Sequence, residues 1–241
     1  MISSNNLYHF TPKFEYLRSI LNEGLRISYC LEDFSWLKRN DLEDFSLTPL
    51  TEERIEFRIP MTCFCDIPSN LIEKHANVYG NYGIGFDKDW GRNKGINPLL
   101  YLAERSNLSS YLRDLEKLTQ GIPKDDPEYR SRNAVVNLLS CTKPYEGDFN
   151  KGDYRNKSHR FYDEREWRYL PPANIITRMM DVAQYEVLSA DDKIPDRIEF
   201  DPKKVGVIVV DASEEKNLLE EECEDYHGKI MTIEEFSLEA R

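Results

Sequence analysis

Positive charge is the first thing this sequence is short of. It carries 32 lysines and arginines against 44 aspartates and glutamates, for a formal net charge of −12. A surface of that sign repels phosphate backbones, which excludes non-specific nucleic-acid binding over the whole molecule and leaves room only for a local basic site. Long apolar runs are missing too. No stretch approaches the ~20 residues that a spanning helix needs, so no membrane partner is expected. The opening "MISSNNLYHF" has neither the charged start nor the apolar core of a secretory leader, and a cytoplasmic location is the expectation. There the five cysteines, at positions 30, 63, 65, 141 and 223, read as reduced thiols. Cys63 and Cys65 form C-x-C with no second cysteine or histidine pair at zinc-ligand spacing, so no metal is expected. Internal repeats and Gly/Ser linkers are absent as well. The simplest reading is one mixed α+β domain over residues 1–241.

What is present alternates short apolar strands with amphipathic helices. "LYHFT" reads as a strand, followed by Thr11-Pro12 as helix cap and first turn, Leu17, Ile20 and Leu21 at helical spacing, and Gly24 as the stop. "LRISYC" resumes as extended chain. Residues 32–58 are charged and weakly patterned, which predicts a loop-rich insertion. "IPMTCFCDIP" is a buried strand with a proline at each end, Ser69 to Val78 a short helix, and "YGIGF" another strand with Gly80 and Gly83 in tight turns. "NPLLYLAE" fits a helix or a strand. Residues 106–119 and 128–141 have helical spacing, and "KKVGVIVVD" is apolar on both faces, as a central strand is. The acidic segment 211–226 reads as a solvated helix.

The segment most open to chemistry is "FYDEREWRYLP", 161–171. As one strand it sets Arg165, Trp167 and Tyr169 on one side and Glu164, Glu166 and Arg168 on the other. The aromatics are expected to pack inward. The charged side is then either a solvated face, with Lys143 and Arg168 paired to nearby acids, or the wall of a cleft. Just before it, "NKGDYRNKSHRFY" (150–162) interleaves Lys151, Arg155, Lys157 and Arg160 with Tyr154, Phe161 and Tyr162. In an acidic chain that basic-aromatic loop suits stacking and phosphate contact, unless it is merely a solvated connection.

"LYHFT…LRSILNEGLR" (7–26), "PMTCFCDIP" (60–68), "HxxxYGNYGIGF" (75–86), "WGRNKGINPLLYL" (90–102) and "FYDEREWRYLP" occur here in that order. Together they resemble the AbiGi family of abortive-infection phage-resistance proteins, which implies a defence role and a cognate toxin or antitoxin as partner. The "YHFT" strand, the helix ending "ILNEGL" and the late glutamate strand also resemble, more distantly, DarT-like ADP-ribosyltransferases.

That second resemblance implies an ADP-ribosyltransferase-like fold with NAD as substrate and no metal. Carried over, Glu166 is the catalytic carboxylate beside the ribose, Glu164 orients the acceptor, and His9 with Thr11 on the first strand holds NAD. The middle motif falls either on "TCFCD" (62–66) or on Tyr79 and Tyr82, which would stack on nicotinamide. Cleaving the nicotinamide–ribose bond builds positive charge on the ribose, so a fixed carboxylate beside it lowers the barrier. The 150–162 loop would then choose a nucleic-acid or protein acceptor. The resemblance also admits a non-catalytic antitoxin that keeps the fold and binds a partner through the acidic segment.

Overall fold

A computed structural model of the chain describes residues 4–37, 55–104, 106–151, 154–172, 179–188, 197–223 and 225–239. Strand β1 (Asn6–Thr11) leads into helix α1 (Phe14–Glu23), then β2 (Leu25–Arg26), β3 (Ser28–Asp33) and the long β4 (Glu56–Cys65). Next come α2 (Ile72–Tyr79), β5 (Tyr82–Asp87), α3 (Lys88–Asn93), and the short β6 (Asn97–Pro98) and β7 (Leu100–Leu102). The helical hairpin α4 (Asn107–Thr119) and α5 (Tyr129–Ser140) follows, then β8 (Thr142–Pro144), β9 (Gly147–Lys151), β10 (Tyr154–His159) and β11 (Glu166–Tyr169). The chain closes with β12 (Met180–Asp181), α6 (Val182–Glu186), β13 (Arg197–Ile198), β14 (Val205–Val210), α7 (Ser213–Glu222), β15 (Lys229–Thr232) and α8 (Ile233–Leu238). The architecture is mixed α+β. Among the described residues no helix is long and apolar enough to cross a membrane.

The main sheet runs β15-β14-β5-β1-β4-β11-β6, with β3 and β12 also on β4. It is two half-sheets with a narrow join. β1 pairs with β5 over six residues, from Asn6↔Asp87 to Thr11↔Tyr82, yet its register with β4 holds only Tyr8↔Cys65. Both faces are covered. Leu7, Phe64, Ile84, Phe86, Ile208 and Val210 form one cluster under α1 and α3, with Trp167 and Tyr169 packed against it. Tyr8, Phe10, Cys65, Val207 and Val209 form a second on the opposite face, with Ile72 of α2 and Phe236 of α8. A third gathers Phe57, Ile59 and Met61 of β4 with Leu112 and Leu139 of the hairpin.

Several expectations need local correction. Thr11 stays in β1 and is buried, so α1 begins from Lys13 with no side-chain cap bond. β14 is apolar as expected but sits second from the edge, parallel to β15 and antiparallel to β5. "NPLLYL" supplies two short strands, and Pro60 lies within β4 opposite Tyr29 of β3. The edges of the expected insertion are ordered, since Phe34, Leu37, Ile55 and Phe57 are core; its body, 38–54, lies outside the described residues. Gly83 is mid-strand, where a Cβ would come within 2.7 Å of the Phe10 ring.

Gly80 is the turn residue that matters. Its φ is +112°, and a Cβ would stand 2.3 Å from the Thr11 carbonyl oxygen and the Pro12 Cα. Replacing it with alanine combines strain with a backbone clash, and Gly80→Ala is expected to cost about 2–3 kcal/mol or more of unfolding free energy. Gly95, at φ +75° with nothing within 4 Å, meets the strain alone, and Gly95→Ala should cost only about 1 kcal/mol. Urea midpoints of the two variants compare them directly.

Candidate functional site

The segment 161–171 does not form one strand. Phe161–Glu164 is a turn of 3-10 helix, Arg165 takes a left-handed φ of 46°, and β11 starts at Glu166. Within β11 the alternation holds and the aromatics pack against the core as expected, but the charged side is buried more deeply than they are. Glu166 and Arg168 are 6% and 1% exposed, while Trp167 and Tyr169 are half-buried. The charged side is therefore neither solvated nor an open wall.

Five ionisable side chains alternate in sign along this buried face. Glu32 on β3 accepts from Arg168 Nη2 at 2.8 Å; Arg168 Nε donates to Glu166 Oε1 at 2.7 Å. Glu166 Oε2 accepts from Lys143 Nζ at 2.8 Å, and the same ammonium lies 3.4 Å from Glu164 Oε2. Glu164 Oε1 then accepts from the Tyr79 hydroxyl at 2.8 Å and lies 2.9 Å from His159 Nε2. Arg168 Nη1 also donates to the Ser140 carbonyl at 2.8 Å, the backbone N–H of Glu166 donates to the Tyr101 hydroxyl oxygen at 2.7 Å, and Lys143 lies over the Phe161 ring. Three carboxylates face two cations, so the cluster's surplus is negative and its outer end is Glu164.

Burial alone would raise the Glu166 carboxyl; Arg168 and Lys143 outweigh it and hold it well below the usual carboxylate range. Glu164 is depressed in the same way, burial being overcome chiefly by Lys143 and the contact with His159. Burial would lower Lys143, but Glu166 and Glu164 keep it well above its ordinary value. The Tyr79 phenol is pushed up by burial and by the Glu164 charge, so it stays neutral and donates. Each Glu166 oxygen is thus engaged by a cation, Oε1 by Arg168 and Oε2 by Lys143.

The sheet divides the sequence-named residues into two sets. Tyr8↔Cys65 and Cys65↔Glu166 place those three side chains on one face, and directly opposite residues of antiparallel strands share a face. His9 is one residue on and packs edge-on against Phe64 at 5.9 Å, on the other face, with its Nδ1 2.8 Å from the Cys63 carbonyl. Thr11 and Tyr82 are opposite one another in register and lie on the His9 side, where Tyr82 donates to Glu215 at 2.9 Å and packs on Phe14. Tyr79, Glu164 and Glu166 are brought together; His9, Thr11 and Tyr82 are not joined to them. The expected cleft shared by His9 and Glu166 is thus corrected by the strand register.

Within 150–162, β10 pairs antiparallel with β9, with Tyr154 opposite Lys151 and Arg155 opposite Asn150. Arg155, Lys157 and Arg160 are exposed, and Arg160 lies 3.9 Å from Asp163. The hairpin is tied inward by Phe149, which packs against Tyr79, His159 and Phe161. Glu32, Tyr101 and His159 had no local signal in the sequence. Lys143 and Arg168 pair with acids as their positions suggested.

The sequence is matched by known proteins. The family described as "Putative abortive phage resistance protein AbiGi, antitoxin" matches residues 26–211, most of the chain. This chain belongs to the AbiGi family. It is 34% identical over 141 residues to the abortive phage resistance protein AbiGi of Lactococcus lactis subsp. cremoris, covering 52% of this chain and 54% of that protein. The chain thus spans about half the length of that relative. No solved structure matches it.

Removing one member of the cluster strands the others. Glu166→Gln, near-isosteric but neutral, leaves Arg168 and Lys143 short of a buried anion and should lower stability by about 3–5 kcal/mol in urea unfolding. The acid dependence has a definite sign. Glu166 and Glu164 titrate lower in the folded chain than their ordinary 4.5, so their contribution is whole above that value and drains away below it. Wild-type stability should fall steeply below pH 4.5. Glu166→Gln should flatten that acid limb; an unchanged limb would show that the loss arises elsewhere.

Proposed function

We propose that this chain is the antitoxin-type, partner-binding member of an abortive-infection phage-defence system, and that it acts without bond-making chemistry of its own. The observation that carries this reading is the sheet between His9 and Glu166: an NAD site needs both on one cleft, and they sit on opposite faces. The family's description as an antitoxin supports it, as does the pairing of both Glu166 oxygens with Arg168 and Lys143. On this reading the buried charges are structural. They hold β11 to β3, to the end of α5 and to β8.

A second reading has one specific observation in its favour. β1 meets β4 at a single pair, Tyr8 with Cys65, next to His9, and Tyr79, Glu164 and Glu166 are linked through Lys143 on the Cys65 face. A DarT-like ADP-ribosyltransferase would bind NAD at that narrow join. Glu166 would have to release Lys143 or Arg168 to face the ribose, and the hairpin carrying Lys151, Arg155, Lys157 and Arg160 would meet a nucleic-acid acceptor.

One assay separates the two. Purified chain incubated with NAD, with and without cellular RNA, DNA and lysate, is expected to release no nicotinamide above buffer. Cells carrying the chain with the toxin of the same system should grow, and those carrying the toxin alone should not. Nicotinamide release that disappears in Glu166→Gln, measured at a temperature where that variant is folded, would decide for the transferase.

A further inference from the structure

Helix α4 is built inside out. The side chains it turns toward the protein are Ser109, Leu112, Arg113 and Glu116, all buried and only one of them apolar. The polar three are held by specific bonds. Ser109 Oγ donates to the Ala103 carbonyl at 2.8 Å, Arg113 Nη1 to the Leu37 carbonyl at 2.9 Å, and Glu116 Oε1 accepts from Arg132 of α5 at 2.8 Å. The side it turns to solvent carries Leu108, Tyr111, Leu115 and Leu118, exposed to 43%, 60%, 43% and 78%. None of these four belongs to any of the three core clusters.

A helix that serves only its own fold buries its apolar stripe and leaves its charges in water. α4 does the reverse, and a contiguous exposed apolar patch of this kind marks an interaction surface. The spacing says what covers it. Steps of three, four and three are the a and d positions of a coiled-coil seam, whose knobs fit the holes of another helix. Charge says of what sign. The exposed or half-exposed charged residues on α4 and in the turn after it are Asp114, Asp125, Asp126 and Glu128 against Lys117 and Lys124. With −12 on the whole chain, a second copy would bring acid against acid, while a helix with basic flanks gains attraction and a faster encounter.

We propose that the outer face of α4 is the docking surface for an amphipathic helix of a second protein, apolar along its seam and basic along its flanks. This rests on the partner-binding reading above and gives that reading its surface, on the helical hairpin rather than on the acidic segment 211–226. Leu115 and Leu118 sit at the exposed centre and end of the seam, so glutamate there costs the fold little and places two charges where the partner's apolar residues must lie.

The probe is a synthetic peptide of about three heptads with leucine at a and d and lysine at the flanks. The same peptide with glutamate flanks and a scrambled version serve as controls. In fluorescence anisotropy the full chain should bind the lysine peptide at least about tenfold more tightly than either control, and Leu115→Glu/Leu118→Glu should lose about tenfold or more of that affinity. Its urea midpoint should match wild type. In cells carrying the toxin of the same system the double variant should fail to restore growth, and Val187→Glu, at an exposed apolar residue outside α4, should restore it. Lysine-peptide binding indifferent to the double variant, or equalled by the scrambled peptide, overturns the proposal. So does a wild-type dimer that the double variant converts to a monomer, since the seam then serves a second copy. Wild-type chain that binds the lysine peptide through the seam yet does not restore growth beside the toxin supports the surface and overturns only the antitoxin reading.

Discussion

Arg168 holds the structure together from a position with almost no access to water. Its guanidinium spends its donors on Glu166 beside it on β11, Glu32 on β3 and the Ser140 carbonyl at the end of α5. A fixed planar fork of donors can serve three directions at once, which an ammonium cannot do with the same geometry. Lys143 extends the chain of charge to Glu164, and through it to α2 and the β9–β10 hairpin by way of Tyr79 and His159. Elements far apart in sequence thus meet at one row of alternating charges. Such a row is costly to desolvate and still more costly to interrupt, which makes it a device for fixing one arrangement of these elements.

The position of that row explains why its charges are paired with one another. It lies between two apolar clusters on a single face of the sheet, one built on Tyr8, Phe10 and Cys65 and the other on Phe57, Ile59 and Met61. Apolar packing on both sides excludes water, and exclusion of water is what drives each carboxylate to take every donor within reach. Each oxygen of Glu166 is engaged by a cation, one by Arg168 and the other by Lys143.

The helical hairpin shows the opposite economy. α4 leaves leucines and a tyrosine in water while burying arginine and glutamate, the reverse of the usual amphipathic surface helix. The family's description as an antitoxin and the composition of α4 are independent observations, one from kinship and one from packing.

The sequence by itself determined most elements and the family. The apolar runs at β1, β4, β5 and β14 and the helical spacing of α1, α4 and α5 are local signals, produced by side-chain periodicity that any register preserves. Ordered motifs from "LYHFT" to "FYDEREWRYLP" likewise needed no coordinates. Only the tertiary structure decided which face each residue took relative to residues on other strands. His9 and Glu166 are both strand residues with the right chemistry, but whether they meet depends on Tyr8 pairing with Cys65 and Cys65 with Glu166. A shift of one residue in either pairing would move one of them to the other side. Sequence alternation fixes which residues share a face within a strand. It carries no information about register between strands tens to more than a hundred residues apart, because that register is set by packing on both faces at once.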